Sequence, residues 1–451
     1  MKTNAFYSLL RGARLLLSAL TVVLGTAVFL SSAKFLQDLP MCQLGPAVLR
    51  AFFSFGLSAL AVVLTIALLT LLFGRLFCSF MCPLGSALSF IALFSKKGKK
   101  NIYPFIGGLI LGAFLGFLAF GLAFVFRLLD PYSLFGRALT SPLWFGIVFL
   151  AVILIVTFLF GRLFCTSICP VGLLLSLIAR RSAFGLAIPD ECVHCGKCER
   201  ACPTGCIDQK QSKVNNAYCV MCLDCLTVCP KTGPTFSFLW KKPEKEKAPD
   251  MERRQFLISL SVGAAAGLVG GGLSKIFLKK SLKAPEEKEF PVRPPGAITE
   301  ASFLAKCTAC GLCVSKCPQK VISLGPAGFG SPRLDFKKGA CSLDCALCSS
   351  ICPTGALRKI DPERKKSFVR GKANFNAKKC IVFQSEGACG RCAKVCPTSA
   401  IILRVNGTPK LEPEACLGCG KCQHVCPTGA MHVAGVKIQY YLEDLNQGAS
   451  L

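Results

Sequence analysis

The chain has 451 residues, 52% of them hydrophobic, with 30 cysteines, three histidines and a formal net charge of +29. His194, His424 and His432 all lie outside the apolar runs and no C-x-x-C-H occurs, which excludes histidine-ligated membrane haem and c-type haem. The grouping of the cysteines excludes a disulfide scaffold, and the basic runs at 96–100, 180–181 and 241–247 read as membrane topology and not as nucleic-acid binding.

Four apolar runs near 14–33, 51–73, 104–127 and 143–160 each approach the ~20 residues that a bilayer crossing takes, so residues 1–185 are expected to form a four-span membrane domain. Residues 73–85 read FGRLFCSFMCPLG and residues 160–172 read FGRLFCTSICPVG, identical at nine of thirteen positions with a constant offset of 87. Lys2, Arg11 and Arg14, then Lys96, Lys97, Lys99 and Lys100, then Arg162, Arg180 and Arg181 contrast with the loop between spans three and four. That loop holds only Asp130 and Arg137. Positive-inside counting puts the N-terminus and both copies on the cytoplasmic side, as halves of a parallel repeat.

Residues four apart share a helix face, so Cys78 with Cys82 and Cys165 with Cys169 can present their thiols together. The four can converge on one further iron–sulfur centre or form a redox dithiol pair; structural packing of small cysteines is the plainer alternative. Arg127, Asp130 and Tyr132, at the outer end of span three, are candidate quinone-site residues because polar groups there are costly unless used. An ordinary interfacial loop is the competing reading.

Residues 186–235 carry Cys192, Cys195, Cys198, Cys202 and Cys219, Cys222, Cys225, Cys229, each set as C-x2-C-x2-C-x3-C-P. In such runs the fourth cysteine ligates the other cluster. One [4Fe–4S] is therefore expected on Cys192, Cys195, Cys198 and Cys229, and another on Cys219, Cys222, Cys225 and Cys202. Structural zinc favours two separated C-x2-C pairs instead. Cys206, in CPTGC, and Cys42, after span one, read as structural thiols.

Residues 236–280 contain MERRQFLISLSVGAAAGLVGGGLS, beginning at Met251. The paired arginines and mildly apolar Gly/Ala stretch resemble a twin-arginine export signal. The uncharged stretch 255–274 can also serve as a fifth span, left uncut for want of an A-x-A pattern. A linker with a chance Arg-Arg is the alternative. Residues 281–300, with Pro285, Pro291, Pro294 and Pro295, read as a semi-rigid linker.

Residues 301–435 add four quartets: Cys307, Cys310, Cys313, Cys317; Cys341, Cys345, Cys348, Cys352; Cys380, Cys389, Cys392, Cys396; and Cys416, Cys419, Cys422, Cys426. The expected pairing exchanges fourth ligands between the first and last quartets and between the middle two. Residues 436–451 are left as a tail. The expected fold class is an α-helical membrane bundle of four spans, with a fifth, plus α+β ferredoxin-like iron–sulfur modules. Six [4Fe–4S] clusters would bring the net charge to about +17 and suit a wire of one-electron centres. No Gly-rich dinucleotide fingerprint follows a strand, so neither nicotinamide nor flavin is expected.

This arrangement resembles two families joined in one chain. Residues 1–235 are similar to NapH-type proteins (also MauN- and NosR-like), with four spans, two C-x3-CP motifs and a terminal two-cluster ferredoxin. Residues 251–435 resemble NapG/MauM-type periplasmic ferredoxins with a twin-arginine leader and four clusters. The resemblance implies a quinol dehydrogenase in the bacterial inner membrane, with its four-cluster module periplasmic. Its implied partners are the lipid bilayer, quinol and a periplasmic redox protein, either a cytochrome or a molybdoenzyme system such as nitrate reductase. The alternatives are an accessory protein supplying electrons to mature or reactivate a metalloenzyme, and a conduit from cytoplasmic ferredoxin.

Overall fold

The structure is a computed structural model that describes residues 2–31, 36–95, 104–122, 124–140, 145–189, 191–209, 212–230, 233–239, 250–282, 290–325, 330–384 and 387–442. It divides into two compact units, Met1–Ser274 and Lys275–Leu451. The lysine runs at 96–100 and 241–247 and Pro285 lie outside the described residues.

In the first unit the repeat extends well beyond the FGRLFC motif. The first half comprises helices α1 (Lys2–Leu30), α2 (Leu44–Ser54), α3 (Leu57–Phe73), α4 (Phe77–Phe80) and α5 (Pro83–Leu93). The second comprises α6 (Pro104–Ala119), α7 (Phe124–Leu129), α8 (Pro131–Thr140), α9 (Phe145–Phe160), a π turn at Phe164–Ile168 and α10 (Pro170–Ala179). Shifting α2, α3, α4 and α5 by 87 residues lands on α8, α9, the π turn and α10 in turn.

Two of the expected spans are broken, and one is short. Residues 51–73 divide where Phe55 turns left-handed (φ 47°) before Gly56. The run 104–127 divides at Gly121, with φ 70°. Helix α9 has 16 residues, about 24 Å of rise against a hydrocarbon core of about 30 Å. Among the described residues, two helical stretches are long and apolar enough to cross a membrane, Phe6–Leu30 and Arg254–Ser274. The outward faces of α1, α3 and α9 are nevertheless apolar, with Leu16, Leu57, Leu64 and Ile155 all exposed.

The last helix of the first unit, α13 (Asp250–Leu282), follows a small ferredoxin-like segment. That segment contains β1 (Phe184–Ala187), α11 (Lys197–Ala201), β2 (Ile207–Asp208), β3 (Lys213–Val214), α12 (Asp224–Thr227) and β4 (Thr235–Phe238). Strands β1 and β4 pair antiparallel, as do β2 and β3. Helix α13 packs along α6 through glycines spaced four apart. A Cβ on Gly116 would stand 2.6 Å from the Ala264 carbonyl, and one on Gly267 2.5 Å from that of Ala113. Gly108 meets Phe256 and Ser259, Gly112 meets Leu260 and Ala264, and Gly271 meets Phe120, so the helices run parallel. Small residues at this spacing let two backbones approach closely, as in membrane helix pairs.

The second unit comprises α14 (Glu300–Lys306), α15 (Leu312–Ser315), β5 (Ile322–Ser323), β6 (Arg333–Leu334), α16 (Leu347–Ser350), β7 (Phe368–Phe375), α17 (Arg391–Lys394), β8 (Ile401–Leu403), β9 (Pro409–Leu411), α18 (Lys421–Val425) and β10 (Met431–Tyr441). Each strand pairs antiparallel with one other: β5 with β6, β8 with β9, and β7 with β10. Its core mixes Phe303, Val321, Phe336 and Val433 with cluster cysteines.

Two boundaries differ from expectation. Residues 290–300 are folded chain: Phe290 bridges Gly435, Thr299 bridges Ile438, and the Leu334 N–H donates to the Val292 carbonyl at 2.8 Å. Arg293 grips Glu300 with two contacts of 2.9 and 2.5 Å. The stiff prolines serve packing there, and Gln439 donates to the carbonyls of Arg293 and Pro294. The supposed tail continues β10 to Tyr441, opposite Phe368.

Candidate iron–sulfur site

Each regular C-x2-C-x2-C loop is curled by left-handed residues at the same two places. These are His194 and Gly196, Met221 and Leu223, Ala309 and Gly311, and Gly418 and Gly420. Such residues bend the chain around a point and turn successive N–H groups inward, an arrangement suited to an anionic group. The residue three beyond each Cys-Pro cysteine is also left-handed at Gly205, Lys320, Gly355, Ser399 and Gly429. The irregular quartets depart as their spacing requires. Ala346, after Cys345, has φ −122°, whereas Gly390, after Cys389, keeps a positive φ.

The ligand sets converge on cavities. One of about 500 Å³ is lined by Cys192, Cys195, Cys198 and Cys229, the set that the spacing predicts. The complementary thiols gather too: burial pushes Cys225 well up, with Cys222, Cys219 and Cys202 adding like charge. In the second unit, Cys341, Cys345 and Cys348 share a cavity of about 350 Å³ with Cys317. Cys416, Cys419 and Cys422 share one of about 350 Å³ with Cys396. Cys313 lies among Cys310, Cys307, Cys348 and Cys352, and Cys392 among Cys389 and Cys426.

The structure therefore brings fourth cysteines together with consecutive quartets, first with second and third with fourth. The expected pairing of the first with the last is corrected. Adjacency in sequence is the reason, since short connections bring consecutive elements together.

These sites fit [4Fe–4S] groups. Backbone N–H groups of Ala309, Leu357 and Ala373 point at the sulfurs of Cys307, Cys352 and Cys416, each at 3.4 Å. Burial pushes the Cys348 and Cys422 thiols up to about 12, so the thiolate at those positions requires the positive charge of iron. Among the described residues, no three His, Cys, Asp or Glu side chains gather as they would around a single metal ion; a cubane, with one sulfur ligand on each iron, spreads its ligands more widely.

The four C-x3-CP cysteines also meet. Cys78, Cys82, Cys165 and Cys169 line one cavity of about 280 Å³ with Phe77, Phe164, Pro131, Gly85 and Gly172. The Gly85 N–H points at Cys82 Sγ (3.3 Å) and the Gly172 N–H at Cys169 Sγ (3.4 Å). Both glycines are sterically required, because a Cβ on either would collide with the carbonyl of Cys78 or Cys165.

Several functional residues escape motif reading. Arg75 and Arg162 are 0% and 1% exposed. Arg75 donates to the Cys165 carbonyl at 2.5 Å and stands 3.8 Å from Cys78 Sγ. Arg162 reaches the Ser79 hydroxyl at 3.1 Å, the Gly85 carbonyl and the Ser89 hydroxyl. In the second unit Arg370 approaches Cys341 Sγ at 3.2 Å and Lys365 approaches it at 3.5 Å. Arg75 and Arg162 are the shared arginine of the two FGRLFC copies and Lys365 lies in the basic run 364–366, yet nothing in those patterns marks them as buried.

Cys206 is buried as expected, but 3.5 Å from Cys202 Sγ. Its thiol hydrogen-bonds to Cys202 and Cys219, holding both below the ordinary thiol range while its own is pushed well up. Cys42 is exposed, so its expected structural role is not supported by packing. Asp130 and Tyr132 are buried at the start of α8, beside Pro131 of the four-cysteine cavity. Asp130 caps α8 through the Ser133 N–H at 2.8 Å. Arg127 is half-buried in α7.

Comparison with known proteins agrees with the cysteine geometry. A family described as a 4Fe-4S binding domain matches residues 55–101 and 142–188, one copy on each half of the repeat. A 4Fe-4S dicluster domain matches 306–356 and 379–430, the consecutive pairs found above. A further 4Fe-4S binding domain matches 187–208. The methylamine utilization ferredoxin-type protein MauM of Methylorubrum extorquens is 32% identical over 36% of this chain and 74% of its own length. The ferredoxin-type protein NapG of Haemophilus influenzae is 30% identical over 39% of the chain and 64% of its own length. An uncharacterized protein of Methanocaldococcus jannaschii is 32% identical over 43% and 78%. No solved structure matches.

Proposed function

The chain belongs to the NapG/MauM-type family of iron–sulfur ferredoxins, and from that premise we propose that it oxidises a membrane quinol and passes the electrons to a periplasmic redox protein. Bound [4Fe–4S] clusters supply centres that each take up and release one electron. We assign six to the quartets, with the 24 cysteines in the exchanged sets described above.

The observation that carries the reading is the continuity between the apolar helices and the first ferredoxin segment. The Ser79 hydroxyl, inside the first C-x3-C, donates to the Val220 carbonyl inside Cys219–Cys222 at 2.6 Å. The Arg162 N–H donates to the Pro203 carbonyl at 2.8 Å. Arg11 of α1 pairs with Asp224, between Cys222 and Cys225, at 2.7 Å. Tyr7 and Leu76 pack on the apolar core of the same segment.

Quinol oxidation releases two electrons and two protons. Asp130 is 1% exposed, and its Oδ1 has no hydrogen-bond partner among the described residues. In this reading its carboxylate takes one of those protons beside the cavity, and the other passes to water.

The direction of α13 supports the two-sided topology. It runs parallel to α6, and its Phe256 lies under Arg180 at 5.5 Å, so the signal-like arginine end shares a side with the FGRLFC copies. A membrane-crossing α13 then delivers the rest of the chain to the other face. The test is anaerobic: menaquinol is added to purified protein and the iron–sulfur absorbance followed. Bleaching supports the proposal; no bleaching, with normal reduction by dithionite, contradicts it. An alkaline phosphatase fused to the C-terminus should be active, and an intact but inactive fusion would count against export.

A further inference from the structure

We propose that the two FGRLFC copies together hold one further [4Fe–4S] centre, ligated by Cys78 and Cys82 from one copy and Cys165 and Cys169 from the other, with Arg75 and Arg162 as its counter-charge. Neither copy can complete a centre alone, since each brings two thiols. The structure brings all four to one cavity, as it does the thiols of the ferredoxin sites.

The local chemistry is that of the ferredoxin sites. In each copy the second cysteine receives a backbone N–H from the glycine three residues on, as Cys307, Cys352 and Cys416 receive theirs. Hydrogen bonds of this kind to ligand sulfurs favour the anionic cluster. Proline at 83 and 170 starts a helix directly after the second cysteine, fixing the loop that presents both thiols.

Charge separates this reading from its rivals. Arg75 Nε and Nη1 and Arg162 Nε have no hydrogen-bond partner among the described residues. Two fully buried guanidiniums require neutralisation. A cubane on four thiolates carries about −2 when oxidised, which balances them. Two disulfides or four neutral thiols supply no charge. Asp130, the buried carboxylate near the cavity, can supply only one and has Arg137 beside it.

The arginines also lock the copies together. Arg75 of the first copy holds a carbonyl of the second, and Arg162 of the second holds groups of the first. The contacts from Ser79 to Val220 and from Arg162 to Pro203 set this centre next to the cluster on Cys202, Cys219, Cys222 and Cys225. The ligation stands independently of the quinol reading; only the role of this centre as the point of electron entry rests on it.

The test is iron and acid-labile sulfide per chain in anaerobically purified, fully loaded full-length protein. Wild type should carry about 28 irons, and about 24 would overturn the proposal. Cys78→Ser with Cys82→Ser, and Cys165→Ser with Cys169→Ser, should each lose about four irons, and all four changes together no more than four. Unchanged iron in either variant, or losses that add, would overturn the single shared centre. Because the wild-type count involves no variant, a variant that fails to fold leaves the proposal open to refutation. No quinol is needed, so failure here is distinct from failure of the quinol reading.

Discussion

Arg75 holds the Cys165 carbonyl of the second copy and Arg162 holds hydroxyls and a carbonyl of the first half, whereas Lys365 and Arg370 both crowd onto the single sulfur of Cys341. The first arrangement is reciprocal, though through different groups, and the second gathers charge on one sulfur. Cys416 occupies the place in the second cluster pair that Cys341 has in the first; its sulfur receives the Ala373 N–H, while the nearby cations stand farther off, Lys372 beside Cys416 and Arg370 also facing Cys419. Buried cations shared between two copies can hold a centre in place. Cations gathered on one of two equivalent centres make those centres differ, because added positive charge stabilises the cluster that has gained an electron. The cluster on Cys317, Cys341, Cys345 and Cys348 should therefore have the higher potential of the two.

The largest expected effect comes from removing the shared cations. Arg75→Met with Arg162→Met should abolish the centre between the copies and destabilise the first unit by about 3 kcal/mol or more, the scale for breaking a buried charge pair. Iron content and thermal unfolding read both, and an intact centre at full stability would dissolve the contrast.

Next comes the ligand exchange. Cys317→Ala should remove the cluster that Lys365 and Arg370 face, and Cys352→Ala the one on Cys307, Cys310 and Cys313. Electron paramagnetic resonance on each variant distinguishes this from the first-with-last pairing, in which Cys317→Ala would disturb the Cys416 cluster instead.

A smaller effect sharpens the asymmetry. Lys365→Met should lower one cluster potential in the second unit by roughly 60 mV, a tenfold change for one electron, and leave the others in place. A redox titration showing no shift, or a uniform one, would remove the tuning role. The smallest effect is expected at Cys206. Cys206→Ala deletes its hydrogen bonds to Cys202 and Cys219, so the potential of that cluster should fall slightly while the iron count stays unchanged.

Much of the site was legible because cluster ligation is written in local spacing. The C-x2-C-x2-C loops fold alike since glycine or another left-handed residue falls at the same two places. The 87-residue offset exposed the repeat, but the expected shared helix face does not form: Cys78 lies in α4 and Cys165 in the π turn, while Cys82 and Cys169 are extended N-caps of the helices that follow. The fold was harder to read. A continuous apolar run does not announce that Phe55 and Gly121 break it, so full-length spans were expected where shorter helices stand. Prolines at 291, 294 and 295 resemble a linker until Gln439 and Thr299 are seen to tie them down. Arg162 illustrates the deepest difficulty. It counts as a cytoplasmic charge in a topology argument, yet it is buried against the other copy of its own motif. Charge in a sequence carries no label for burial.

The central claim is that electrons enter the ferredoxin segments through the junction formed by the two FGRLFC copies. The most direct test is stopped-flow mixing of anaerobic protein with menaquinol, comparing wild type with the Cys78→Ser, Cys165→Ser double variant. The account predicts rapid bleaching in wild type. In the variant it predicts almost none, although dithionite still reduces the six ferredoxin clusters. Equal rates of bleaching by quinol in the two proteins would contradict it.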